Sequence, residues 1–153
     1  MLYLYNMEQQ REAARLISSL RWLALATADE RGAPSISYVP FAPVDGSFGI
    51  VVSRLAAHTA NLIAVRPASV LLVDDAEPDD AYARSRFSID VTPSLNGEAV
   101  WAALESRHGA TVGVLRTLND FQAVVLEPHH GRLVLGFAAA YNVAGEKIKE
   151  LLR

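Results

Sequence analysis

The chain contains no cysteine, which excludes disulfide frameworks, thiol nucleophiles and cysteine-held zinc or iron–sulfur clusters. Lysine is nearly absent as well: Lys147 and Lys149 are the only two, so arginine carries almost all of the positive charge. The basic residues are scattered rather than gathered into a stripe, and the formal net charge is −3. That argues against nucleic acid as a partner, because a phosphate backbone requires clustered Lys and Arg. No apolar run approaches the roughly 18 to 20 residues that span a bilayer. The segment Met1 to Glu8 lacks the basic region, apolar region and small-residue cleavage site of a secretory leader. The reading is a cytoplasmic chain with no membrane partner. His129 and His130 stand together in Pro128-His129-His130-Gly131 without a third ligand at suitable spacing, so no metal site is expected.

What is present is apolar. Of 153 residues, 51% are hydrophobic and 20% charged, which suits one domain over residues 1–153 with part of its apolar surface covered by another subunit. Residues 7–20 carry Ala13, Leu16, Ile17 and Leu20 at helical spacing. Short apolar runs at 22–27, 34–41 and 48–53 are separated by turn residues at 29–34 and 45–47, which predicts three strands in hairpin order. A helix over 54–65 stops before Pro67, and 68–73 reads as a buried strand. The acidic residues 74–80 lead into a short helix at 79–84, its carboxylates suiting the helix N-terminus. Phe87, Ile89 and Val91 alternate with polar residues on a further strand. Helices at 95–106 and 110–117, strands at 121–127 and 132–137 around a Pro-His-His-Gly turn, and a last helix at 145–153 complete the pattern. The fold class is mainly β with peripheral helices, an antiparallel barrel of about six or seven strands whose closure removes sticky edges. A βαβ unit through 48–53, 54–65 and 68–73 is the competing arrangement.

Two stretches carry most of the chemistry. The strand 35–41 alternates Ser35 and Ser37 with Ile36 and Tyr38, giving it a polar and an apolar face, and Tyr38 and Phe41 read as core. The junction 53–61 reads as a strand running into a helix whose free N–H groups suit an anion. Ser53 falls at the N-cap, and Arg54, His58 and Asn61 fall on one helical face, with Thr59 beside them. Arg84 and Arg86 either pair with the acidic segment or hold an anionic group. Asp120 sits in a turn, where capping is its natural role. His108 reads as a helix C-terminal cation before the stop residue Gly109.

The order of these motifs resembles the pyridoxamine-5′-phosphate-oxidase-like FMN-binding split barrels. Ala26-Thr27-Ala28-Asp29-Glu30-Arg31-Gly32-Ala33-Pro34 fits the first hairpin of that family. The haem-utilisation branch is the closer likeness, through Ser37-Tyr38-Val39-Pro40-Phe41, His58-Thr59-Ala60-Asn61-Leu62, Tyr82 to Asp90, Asn119-Asp120-Phe121 and Gly131 to Phe137. The resemblance implies a split barrel, a homodimer with its two sites in the clefts between subunits, and FMN as cofactor. The FMN phosphate is expected at Ser53, Arg54, His58, Thr59 and Asn61, and the flavin ring against Ser35, Ser37, Tyr38 and Val39, with Arg86 as a further contact. Where oxidases of the family place an Arg-Lys pair this chain has Ala57-His58, and Ser37 replaces an arginine. The leading expectation is therefore an FMN-dependent oxidoreductase acting on a small molecule, though not pyridoxamine-phosphate oxidation itself. Two alternatives stand beside it: haem binding or degradation, with Asp120 assisting at the haem, and a non-catalytic dimeric barrel. Haem-degrading relatives take their axial histidine from a C-terminal extension, whereas the last histidine here is His130.

Overall fold

The computed structural model describes residues 2–3, 6–137 and 139–153, with side chains from residue 6 onward. A two-residue strand, β1 (Leu2–Tyr3), precedes helix α1 (Met7–Ser19). A capping box opens α1: Asn6 Oδ1 accepts the Glu8 N–H at 2.9 Å, and Gln9 Oε1 accepts the Asn6 N–H at 3.0 Å. Ala13, Leu16 and Ile17 are buried at the expected spacing. Strands β2 (Trp22–Ala28) and β3 (Pro34–Pro40) form the expected hairpin. The Asp29 carboxylate ties its turn by accepting the N–H groups of Arg31 and Ala33, both at 2.9 Å.

The third strand departs from hairpin order. A short strand β4 (Ala42–Val44) intervenes, and β5 (Ser47–Ser53) pairs with β4 and with β8 (Phe121–Val134) rather than with β3. The chain bends at Phe41, whose N–H is held by the Arg21 carbonyl at 3.1 Å, and this carries β4 and β5 away from the first hairpin. Helix α2 (Ala57–Ile63) follows, and then β6 (Ala68–Val73), which pairs with β2 and with β7 (Arg86–Ser94). Because β6 does not pair with β5, the βαβ arrangement is ruled out. A single 3₁₀ turn, Ala81–Ala83, occupies the place of the short helix expected at 79–84. Helices α3 (Glu98–His108) and α4 (Thr111–Thr117) precede β8, and β9 (Ala140–Ala144) and α5 (Gly145–Leu151) end the chain.

The sheet runs β1-β9-β8-β7-β6-β2-β3, with β5 on the edge of β8 that β9 also uses. Apart from the short β1–β9 contact every pairing is antiparallel, and the sheet curls into a split barrel with peripheral helices. Leu23, Leu25, Phe48, Ile50, Phe87, Leu126 and Leu133 fill it. A second apolar layer, Val100, Trp101, Leu104 and Val112, packs α3 and α4 onto Ala42 and Ala123. Among the described residues no helix is long and apolar enough to cross a membrane.

The two strands expected at 121–127 and 132–137 are one strand of 14 residues, and Pro128-His129-His130-Gly131 is not a turn. In the pairing with β7, Val91 stands opposite Pro128 and Asp90 opposite His130, so His129 is the extra residue of a β-bulge. The glycine serves close approach: a Cβ on Gly131 would lie 2.6 Å from the Phe87 ring and 2.9 Å from Ile148. Phe137 lies beyond the strand end, and β9 has no counterpart in the sequence reading.

Candidate functional site

Strand β3 turns its faces opposite to the expectation for Tyr38. Ile36 and Tyr38 are 78% and 65% exposed, Tyr38 stacking on Trp22 at 5.2 Å, whereas Ser35, Ser37 and the buried Val39 face inward. Phe41 is core as expected. The reason is α2, which packs against β2 and β3 and offers a polar partner to Ser37. Ser37 Oγ and His58 Nδ1 are hydrogen-bonded at 2.7 Å, and Asn61 Nδ2 donates to the buried Thr27 Oγ1 at 3.0 Å. Ser35 stands opposite Thr27 on the same face. The His58 Nε2 is buried without a partner among the described residues, and burial pushes the imidazole below its ordinary value of 6.5.

The strand-to-helix junction differs from the expected anion cradle. Ser53 is the last residue of β5, opposite Phe121, and the N-cap of α2 is Ala56, which makes no side-chain cap. Arg54 therefore precedes the helix, off the face that holds His58 and Asn61, and is exposed. Four of the backbone donors are engaged: Arg54 N–H bonds the Asp120 carbonyl at 2.7 Å, Leu55 N–H bonds Ser53 Oγ at 3.2 Å, and Ala56 and Thr59 N–H groups bond the carbonyls of Ser53 and Ala56, each at 3.1 Å. The Thr59 hydroxyl also donates to the Ser53 carbonyl. These four N–H groups and the Thr59 hydroxyl are therefore bonded within the chain rather than free for an anion. Asp120 is exposed and meets this region only through its carbonyl.

Arg84 and Arg86 separate in role. Arg84 pairs with Glu77 and donates to the Asp74 carbonyl at 2.5 Å, which is the pairing with the acidic segment. Arg86 lies on the outer face of β7, where among the described residues its side chain donates only to the Arg84 carbonyl, at 3.0 Å. Arg86 stands opposite Val134, and Ser88 opposite Arg132, so the two arginines are diagonal neighbours on adjacent strands. They line a groove of about 370 Å³ together with Tyr82, Val134, Phe137 and Ala140. Tyr82 and Phe137 are 75% and 80% exposed, and neither arginine has an ion-pair partner among the described residues. Two cations beside two exposed rings and a small-residue floor suit a flat, apolar molecule bearing acid groups. Sequence reading picked out Arg86 alone. The strand alternation of Arg132 and Val134 was visible, but which strand they lie beside was not.

Among known proteins, the family model for pyridoxamine 5′-phosphate oxidase matches residues 9–135. The chain is 31% identical over 137 residues to heme oxygenase HutZ of Vibrio cholerae, covering 85% of this chain and 78% of that protein. It is 34% identical over 128 residues to HOZ, a chloroplastic heme oxygenase of Arabidopsis thaliana, of which it spans 37%. A heme-binding protein from Mycobacterium smegmatis superposes with a TM-score of 0.81 at 26% identity, over 92% of this chain and 60% of that one. Motif order, split-barrel topology and these matches agree that the chain belongs to the pyridoxamine 5′-phosphate oxidase family.

Proposed function

We propose that the protein binds haem in the groove between Arg86 and Arg132 and acts in haem utilisation. The carrying observation is the unpaired guanidinium pair flanked by exposed Tyr82 and Phe137. The donor chemistry fits: guanidinium groups bind the two propionates by charge-assisted hydrogen bonds, and Phe137 offers its ring to the porphyrin face. The relatives named above as heme oxygenases and a heme-binding protein support this reading, with haem as the substrate of an oxygenase. When bound, haem supplies the iron and the conjugated ring on which oxygen chemistry proceeds. FMN, which the family resemblance implies, meets a poorer fit: Thr59 and Asn61 bond within the chain, burial disfavours the charged form of His58, and Arg54 lies off their helical face.

The groove lies at the small end of the range for ligand pockets, so further cover is needed for a molecule the size of haem. A second copy of the chain is the natural source. Trp22, Ala24 and Ala26 stand opposite Pro40, Tyr38 and Ile36 on the outer face of the first hairpin, forming an exposed apolar surface of the kind a homodimer covers.

Titration with ferric haem, followed by the Soret band, tests the reading. One haem per chain is expected, and Arg86→Ala and Arg132→Ala should each weaken binding about tenfold, the worth of one charge-assisted contact. Tight FMN binding with flavin absorbance and no haem uptake would overturn it in favour of a flavoprotein.

A further inference from the structure

The two arginines hold no group that can bond iron, and the other lining residues are glycine, alanine, valine and phenylalanine, with one exception. Tyr82 is that exception. Its backbone is braced: the Asp80 carboxylate accepts the Tyr82 N–H at 2.9 Å, and the Asp80 carbonyl accepts the Ala83 N–H at 2.9 Å. The segment carrying it is closed at its base by Asp74 N–H on the Ser85 carbonyl at 2.9 Å, and Arg15 fixes Asp74 at 2.8 Å. The phenol itself has no hydrogen-bond partner among the described residues.

The histidines are placed otherwise. His58 Nε2 has no exposed surface, His108 Nε2 donates to the Phe41 carbonyl at 2.7 Å, and His129 Nε2 is bonded to the Thr92 hydroxyl. His130 shares the outer face of β8 with Arg132 and is the one rival, yet it does not line the groove.

We infer that Tyr82 supplies the iron ligand, as phenolate, when haem occupies the groove; the inference rests on the haem reading above. As the oxygen–iron(III) bond forms, the phenol proton passes to solvent and no electron is transferred. An anionic oxygen donor favours the ferric state, and tyrosinate is an established axial ligand of haem iron.

The test uses the full chain loaded with ferric haem, compared with Tyr82→Phe and His130→Ala. Tyr82 is exposed, so the phenylalanine variant should fold with an unchanged circular dichroism spectrum. Resonance Raman scattering should show phenolate modes in the parent and in His130→Ala and none in Tyr82→Phe. The latter should bind haem at least about tenfold more weakly and carry it at a higher reduction potential. Phenolate modes absent from the parent, a Tyr82→Phe spectrum identical to the parent, or an iron spectrum altered only by His130→Ala would each overturn the ligand assignment while leaving haem binding intact. A parent chain that takes up no haem would overturn the haem reading, and the ligand assignment with it.

Discussion

Replacing Arg107 by Met should cost about 3 kcal/mol of stability, because this side chain closes the C-terminus of a helix nearly ninety residues earlier in the chain. Helix α1 has no basic residue in its last turn. Arg107 Nη2 instead donates to the carbonyls of Leu20 at 2.5 Å and Ile17 at 2.7 Å, with Ser18 at 3.3 Å as a weaker third acceptor. One NH₂ group has two hydrogens, so only two of these count as full bonds, each worth about 1.5–3 kcal/mol when the donor is charged. The guanidinium also lies 4.6 Å from the Phe41 ring centroid. That stacking adds about 1 kcal/mol. Opposing these, Nη1 is buried without a partner among the described residues. Such a group costs about 1–3 kcal/mol, which brings the balance to the stated figure. Met keeps the apolar stem and removes every donor. The midpoint of thermal unfolding should fall by about 6–12 °C for a chain of this size. Arg107→Lys should recover less than half, since an ammonium cannot bridge the separated carbonyls as the planar fork does. Urea unfolding with an unchanged slope is the assay, and a loss below about 1 kcal/mol would refute the reasoning.

Val65 follows α2 with φ +54°, a backbone state that a β-branched residue rarely adopts. Val65→Gly should stabilise the fold by about 1 kcal/mol, the relief of left-handed strain less the greater freedom of glycine when unfolded; an unchanged or lower urea midpoint would contradict this. His58 gives the pH dependence: burial holds its folded value below 6.5, so the unfolded chain binds more protons in that window. Stability present above pH 6.5 is therefore lost as the pH falls toward the folded value and levels off below it, with a slope no steeper than about 1.4 kcal/mol per pH unit. His58→Gln should flatten that window while leaving the more acidic limb, where Asp74 is held below 3.8 by Arg15, in place. Equal slopes in both proteins between pH 6.5 and the carboxylate range would show that His58 is not the group responsible.

Where local signals agreed with tertiary context, the elements were readable. The run Ala68–Val73 is a strand over the expected span, and α1 follows its apolar stripe. The misses have a common physical origin in contacts distant along the chain. Pro128 and Gly131 look like turn residues, yet a bulge absorbs His129, and Gly131 is small because Phe87 and Ile148 press against it. Tyr38 reads as core from the alternation of β3, yet the serine face turns inward, where α2 meets Ser37 with His58. Ser53 looks like a helix cap, yet the β5–β8 ladder claims it and the helix starts later.

By itself the sequence determined the fold class, the order of most elements, the exclusion of cysteine chemistry and the motif series that marks the family. The first three rest on composition and on periodicities of two and 3.6 residues, which are local, and the family on the order of short motifs. The tertiary structure alone decided which polar groups remain free. Arg86 and Arg132 are 46 positions apart in the chain and become neighbours only through β7–β8 register, while Arg54, Thr59 and Asn61, close in sequence, are separated or engaged. A site is defined by groups left without partners, and partnership is settled by the packing of distant segments.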